Sequence, residues 1–203
     1  MAVNVPQYDT DNFSFGPGIL YVAALTQSGA AGITTMTQTL VTAGDVGAVR
    51  SGAQFQVTRT RLEVNQGSPI SLVKQYVTAE DAQLTVNGIE WDLEKLQLAL
   101  GAGEVATSAA LVTMGFGGDL DITDVAVKFT HVMPKGHTLS LRLWKAQGTG
   151  EMTVTFGDEL HEFPYSFKSL LVPTQSNGNV RGWDDEVLSA KESLFQIVIE
   201  KAS

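Results

Sequence analysis

Two long stretches of the sequence alternate between apolar and polar residues, and this period of two restricts the fold more than any other feature. In the first stretch, Phe55 and Val57 fall on one face of a predicted strand. Polar residues fall on the opposite face: Gln54, Gln56, Thr58 and Thr60. Because successive side chains of a strand point to opposite faces, the pattern predicts a sheet that is covered on one side. The phase slips near Leu62 and Val64, which predicts a β-bulge.

Turn residues divide these stretches into hairpins. Residues 65–68 form a turn signal inside a hairpin predicted over 53–78, and residues 134–136 do the same for a second hairpin over 125–145. In the second hairpin Leu139, Leu141 and Leu143 alternate with polar residues. The same criteria predict shorter strands, at 19–25, 82–86, 152–156 and 194–199.

One segment has the periodicity of an α-helix. Its apolar residues recur at the spacing of a single helical face: Ile89, Leu93, Leu96 and Leu100. Asn87 is the predicted N-cap, and Gly101 stands where helices often end in a left-handed residue. Residues 184–186 are acidic, which favours the start of a second, short helical turn.

Residues 26–52 are predicted to be a long interaction loop. Residues 12–44 include no charged side chain and are rich in Thr, Ala and Gly. Loops of this length within a compact domain are usually functional or disordered. We expect this one to become ordered against a neighbouring subunit through its few apolar residues and two turn-forming glycines: Ile33, Met36, Leu40, Val41, Gly44 and Gly47.

The composition of the chain argues for or against several classes of protein function. Charged residues make up 17 % of the chain, below the roughly 25 % of typical domains, and a surface with few charges is less costly to bury against another subunit. The net charge of −9 argues against a protein that grips nucleic acid by its phosphates. The absence of cysteine excludes disulfides and thiolate chemistry. No apolar run reaches the length of a membrane span, so no membrane association is expected.

Two clusters of polar residues raise the question of a metal site. His131 and His137 flank the second turn and could join Glu162 around a metal, but histidines near strand ends are usually hydrogen-bonded or exposed to solvent. Asp121 and Asp124 follow a glycine-rich loop and could bind an ion, although acidic residues beside glycine are common in turns. Nucleophile elbows, P-loops and dinucleotide-binding fingerprints are all missing from the sequence. We therefore predict no catalytic residue, no metal site, no cofactor and no enzymatic activity.

The order of these features resembles the major tail tube proteins of bacteriophages with long, non-contractile tails. The resemblance covers most of residues 16–170, and no single element of it is diagnostic. Six segments carry it: a Gly-Pro-Gly turn leading into a strand at 16–22, a Gly-Asp-Val-Gly element at 44–49, the turn at 66–70, the Leu-Gly helix end at 96–101, the Leu-Trp-Lys-Ala stretch at 143–146, and an aromatic segment at 160–170.

The resemblance implies a mainly β fold, namely a β-sandwich or half-barrel with one flanking α-helix, in a single domain over residues 1–203. Subunits of that family form hexameric rings that stack into a tube in the virion, where they meet tape measure and tail tip proteins. Each subunit lends two hairpins to a shared inner β-barrel through which DNA passes. The polar residues opposite Phe55 and Val57 would then face the lumen: Gln54, Gln56, Thr58 and Thr60.

Three alternatives remain open at this point. The tube protein of a contractile tail or of a secretion system would show nearly the same pattern, although the long uncharged segment favours a non-contractile tail. A monomeric β-sandwich that binds a ligand such as carbohydrate is a second possibility, but its aromatic residues are not clustered in one loop. A hydrolase with an unrecognised site is the third.

Overall fold

The structure is a computed structural model that describes most of the chain. The described residues are 18–30, 33–37, 44–47, 49, 53–118, 121–133, 136–154, 161–174, 178–183, 186–189 and 191–202. Leu40 and Val41 of the predicted loop lie outside these ranges.

The described residues form a mainly β, antiparallel structure with one helix, which confirms the predicted class. The helix α1 spans Leu93–Leu100. The strands are β1 (Ile19–Ala24), β2 (Thr26–Ala30), β3 (Ile33–Thr37), β4 (Gln54–Gln66), β5 (Ser71–Gly88), β6 (Glu104–Thr107), β7 (Val112–Gly115), β8 (Asp124–Val132), β9 (Thr138–Gly148), β10 (Phe163–Ser169), β11 (Val180–Arg181), β12 (Val187–Leu188) and β13 (Gln196–Glu200). The main sheet has the order β1-β8-β9-β10-β5-β4, and β13 pairs with β9.

Both predicted long hairpins are present. Strands β4 and β5 pair around a turn at 67–70, and β8 pairs with β9. The register of β4 and β5 shifts between Thr60 and Arg61 and again between Val64 and Asn65, which confirms the irregularity expected near Leu62. The strand predicted at 82–86 is confirmed as part of β5, which runs without interruption from Ser71 to Gly88.

The apolar face of the main sheet carries the larger core. Alternate residues of β5, β9 and β10 are buried there together with residues of α1: Leu84, Val86, Leu96, Ala99, Leu141, Leu143, Phe163, Tyr165 and Phe167. At the β8–β9 end the opposite face is covered too. There Trp144 packs edge-on against Trp183, and the indole N–H of Trp183 donates to the Trp144 carbonyl at 2.7 Å. The sheet is therefore covered on both faces at β8–β9 but on one face towards β4.

The helix begins later than predicted. Asp92, not Asn87, is the N-cap, and its carboxylate accepts from the amides of Glu94 and Lys95. Asn87 lies within β5, and its side chain donates to Glu162 at 3.1 Å. Ile89 precedes the helix, so the predicted apolar stripe mixed a strand end with a helical face. Gly101 ends the helix with φ of 69°, as expected.

Three further predictions are wrong. Residues 187–188, which follow the acidic run, form strand β12 rather than a helical turn, because they pair with β11. Glu192 closes a turn instead: its carboxylate accepts from both the N–H and the hydroxyl of Ser189, and these bonds lower its pKa. Residues 151–154 form no strand, although Met152 and Val154 pack against the core.

The third error concerns the predicted loop. Residues 26–37 were expected to lack secondary structure, but strands β2 and β3 pair within them as an antiparallel ribbon. Threonine-rich sequence disfavours a helix and is well suited to strands. The threonine-rich composition of this segment is therefore consistent with the paired strands β2 and β3.

The close packing of α1 on β9 should make Gly148 intolerant of any side chain. A Cβ at Gly148 would collide with the carbonyl oxygen of Ala99 in the helix. We expect Gly148→Ala to lower the free energy of unfolding by about 1–3 kcal/mol, because the helix must shift. Gly115→Ala is the matched control, since nothing lies within 4 Å of its added Cβ. Denaturant unfolding of both variants checks this, and equal stabilities would contradict it.

Candidate assembly surface

Strands β4 and β5 extend past the body of the protein as a projecting hairpin. Every residue from 56 to 81 is exposed, and this segment is called the arm below. Strand β10 pairs with β5 only over residues 83–88, so the arm has no further strand beside it within the described part of the chain. At about 3.3 Å per residue, ten residues of β4 reach about 30 Å from the body.

One face of the arm's base is polar and lies opposite the core. The predicted lumen residues belong to it, and all four are exposed: Gln54, Gln56, Thr58 and Thr60. They pair with Thr85, Gln83, Asp81 and Ala79 of β5. The polar face continues onto β10, where Ser166 accepts from the Gln83 amide at 2.8 Å and Lys168 lies 3.1 Å from Asp81. Lys168 and Asp81 balance each other's charge, so the polar face carries hydrogen-bonding groups with little net charge.

The other face of the arm carries a ladder of charged and amide side chains. Arg59 forms an ion pair with Glu80 at 2.7 Å. Farther out, Arg61 donates to Gln75 at 3.3 Å, and the Gln75 amide donates to Glu63 at 2.8 Å. Charged side chains on an edge strand oppose unregulated addition of further strands.

The outer part of the arm is apolar despite its exposure. Of the nineteen large apolar side chains that are exposed among the described residues, eight lie on the arm: Val57, Leu62, Val64, Ile70, Leu72, Val73, Tyr76 and Val77. Leu62 pairs with Tyr76, and they are 57 % and 48 % exposed. The ammonium group of Lys74 lies 4.6 Å from the centre of the Tyr76 ring. Exposed apolar groups concentrated in this way mark interaction sites.

The two edges of the main sheet differ. Segment 44–47 covers the β1 edge: Asp45 bridges to Tyr21, and the Val46 amide donates to the Leu20 carbonyl at 3.0 Å. Gly47 adopts φ of 83°, and its amide donates to Asp45. The β4 edge carries no such cover along the arm in the described residues.

The other predicted loop residues are placed less fully. Gly44 is buried at the start of the covering segment. Ile33 and Met36 lie in β3, where they pair with Ala30 and Gln27. None of these positions tests the predicted contact with a neighbouring subunit, which stays a prediction.

The candidate metal ligands do not come together. His137 accepts from the Ala202 amide at 2.8 Å, while Glu162 accepts from Asn87. Asp124 forms an ion pair with Lys145 at 3.0 Å. Within the described residues there is no group of three side chains that could hold a metal ion.

One ionisable group with a shifted pKa, Tyr165, belongs to the core. Burial raises the pKa of Tyr165 to about 12, and the nearby Asp92 and Glu90 add to the shift. The phenol is therefore neutral at physiological pH and acts as a packing residue. Among the described residues, no helix has the length and hydropathy that crossing a membrane requires.

The comparisons with other proteins give no guide to identity. Neither the known protein families nor the characterised proteins include a match to this chain. The arm is therefore the feature that bears most on function, and its exposure does not follow from the sequence alone. The alternation in β4 predicts a sheet face, but it does not say whether that face is covered by the same chain or by another.

If the arm is free in the isolated subunit, a leucine-to-alanine substitution should change the free energy of unfolding much less in its outer part than at its root. Leu84→Ala removes a buried side chain and should cost about 2–5 kcal/mol of unfolding free energy. Leu62→Ala should change that free energy by less than about 0.5 kcal/mol, because the side chain packs on little. Urea unfolding at dilute concentration measures both. Equal losses would mean that the arm is packed within the subunit.

Proposed function

We propose that this chain is a structural subunit that assembles into stacked hexameric rings, forming the tail tube of a bacteriophage with a long, non-contractile tail. The tube is a virion component that conducts DNA during ejection, with tape measure and tail tip proteins as further partners. The observation that best supports this proposal is the arm, in which 26 consecutive residues, from 56 to 81, are exposed in two long paired strands.

An isolated two-stranded ribbon is marginally stable in water, so the arm needs partners to be well ordered. Copies of the same chain supply them in a closed ring, where each β4 edge meets a strand from a neighbour and no edge stays open. The β5 edge of the arm is open too, because β10 pairs with β5 only over residues 83–88, so β4 of one subunit can meet β5 of the next around the ring.

The polar face supports a role as a channel lining. Gln54, Gln56, Thr58 and Thr60 on this face are uncharged, and Lys168 beside them is paired with Asp81. A conduit for DNA needs hydrogen-bonding groups without a row of unpaired cations, because such a row would hold the phosphates.

The β8–β9 hairpin fits a shared barrel less well than the arm does. Lys128 and Arg142 lie on its predicted polar face, and Arg142 forms ion pairs with Glu186 at 3.4 Å and Glu200 at 3.9 Å. Trp144, two residues after Arg142 in β9, is fully buried. We therefore assign more of the lumen lining to β4 and β5 than to β8 and β9.

Assembly provides the direct test. Purified subunit should form rings or tubes as its concentration rises, visible by negative-stain electron microscopy. The tubes should melt above the free subunit, since a partner that binds only the folded form stabilises it. A variant with residues 61–77 replaced by a two-residue Asn-Gly turn is the control and should stay monomeric. A wild-type protein that stays monomeric at high concentration would favour a monomeric binding module.

The lining can be tested separately. Gln56→Lys with Thr58→Lys should leave tubes intact but increase their retention of DNA, because two cations per subunit would face the phosphates. Thr153→Lys with Thr174→Lys adds the same charge at exposed positions outside β4, β5 and β10. DNA binding should rise in the first pair, weaken with added salt, and stay near the wild-type level in the control. Equal retention by both pairs would remove these residues from the lumen.

A further inference from the structure

A second projecting element lies beside helix α1. Strands β6 and β7 form a short hairpin, joined to the helix by a bond from the Gln97 amide to the Gly103 carbonyl at 2.5 Å. The β6–β7 surface is defined here as residues 103–118 with 121–122. Four large apolar side chains are exposed on it: Leu111, Val112, Phe116 and Ile122.

The β6–β7 surface includes an open groove of about 490 Å³. Residues of both strands line it: Gly103, Glu104, Ala106, Thr113, Gly115, Phe116 and Gly117. Nothing lies within 4 Å of a Cβ added at Gly115, Gly117 or Gly118. Because these glycines carry no side chains, another backbone ribbon has room to approach closely.

The charge of the β6–β7 surface is complementary to that of the outer arm. Within the β6–β7 surface the sequence has no lysine or arginine and two acidic residues, Glu104 and Asp121. The outer arm, residues 61–77, carries Arg61 and Lys74 against the single acidic residue Glu63. In a chain of net charge −9, the outer arm is thus a locally basic segment.

We propose that the outer arm of one subunit docks on the β6–β7 surface of a second copy of this chain. Leu62 and Tyr76 pack there against Phe116, and Lys74 faces Glu104. The arm residues are exposed throughout their own subunit, so they are available to another copy. The two patches differ, so the contact is heterologous and passes from subunit to subunit, which generates rings or filaments. This inference rests on the proposed self-assembly and specifies which surfaces meet.

Site-specific cross-linking tests the contact. Because the chain has no cysteine of its own, only the introduced cysteines can form a disulfide. Val64→Cys and Val112→Cys are prepared as separate, differently tagged variants, mixed under assembling conditions and oxidised. A disulfide between the two tagged chains is expected. Thr174→Cys is the control partner for Val64→Cys and should give no such product, because Thr174 is exposed but is not part of the β6–β7 surface.

Charge exchange gives an independent measure. Lys74→Glu should raise the concentration needed for assembly about tenfold, since it places like charges together. Adding Glu104→Lys to the same chain should return that concentration to within about threefold of wild type. Glu151→Lys, at an exposed acidic residue elsewhere, should give no rescue.

The outcomes separate this inference from the proposed function. Tubes that form without the Val64–Val112 disulfide, with no rescue by charge exchange, would overturn the docking contact and leave the tube proposal standing. Failure of the wild-type chain to assemble under any condition would overturn both. Disulfide formation in tubes together with rescue by Glu104→Lys supports the contact directly.

Discussion

Strands β4 and β5 run past the end of the hydrophobic core, and the organisation of the protein follows from where that core stops. Phe55 still packs edge-on against Phe195 at 5.2 Å, and Ala82 is fully buried. One alternation farther out, Val57 is 40 % exposed and the strands continue without cover. Backbone order costs about 1–2 kcal/mol per residue. In the arm this cost is opposed only by the hydrogen bonds between β4 and β5 and by pairs of exposed side chains. Contacts with a partner would therefore add more to the stability of the arm than to that of the core.

The sequence allowed the paired strands to be predicted because their signals are local. Alternation, turn residues and the slip near Leu62 define the β4–β5 hairpin, and Gly101 supplies the left-handed residue that ends α1. The N-cap was misplaced because Asn87 and Asp92 both suit that position. Only the pairing of Asn87 with Pro164 across β5 and β10 decides between them.

The candidate surface was only partly predictable for a related reason. The position of Gln56 and Thr58 opposite the core follows from alternation alone. Their orientation towards a lumen depends on other copies of the chain, which alternation does not encode. Likewise Leu62 and Tyr76 have the composition of core residues, and only the three-dimensional arrangement reveals that nothing in the described structure covers them. The β12 strand was missed because its partner, β11, lies in a loop-like sequence with no alternation.

The arm combines features that restrain association with features that promote it. Arg59, Arg61 and Glu63 place charge along the open β4 strand, which opposes random strand addition. The ion pair of Arg59 with Glu80 is weakened by salt because both side chains are exposed. The apolar side chains farther out gain free energy only when another surface excludes water from them. In the assembly that we propose, the charged side chains would keep subunits dispersed while encounters are rare, and the apolar ones would favour association with a surface of matching shape and charge. Segment 44–47 lies against β1 at Leu20 and Tyr21, whereas no strand lies beside the arm in the described structure, so the arm is the element that the proposal assigns to the contact between subunits.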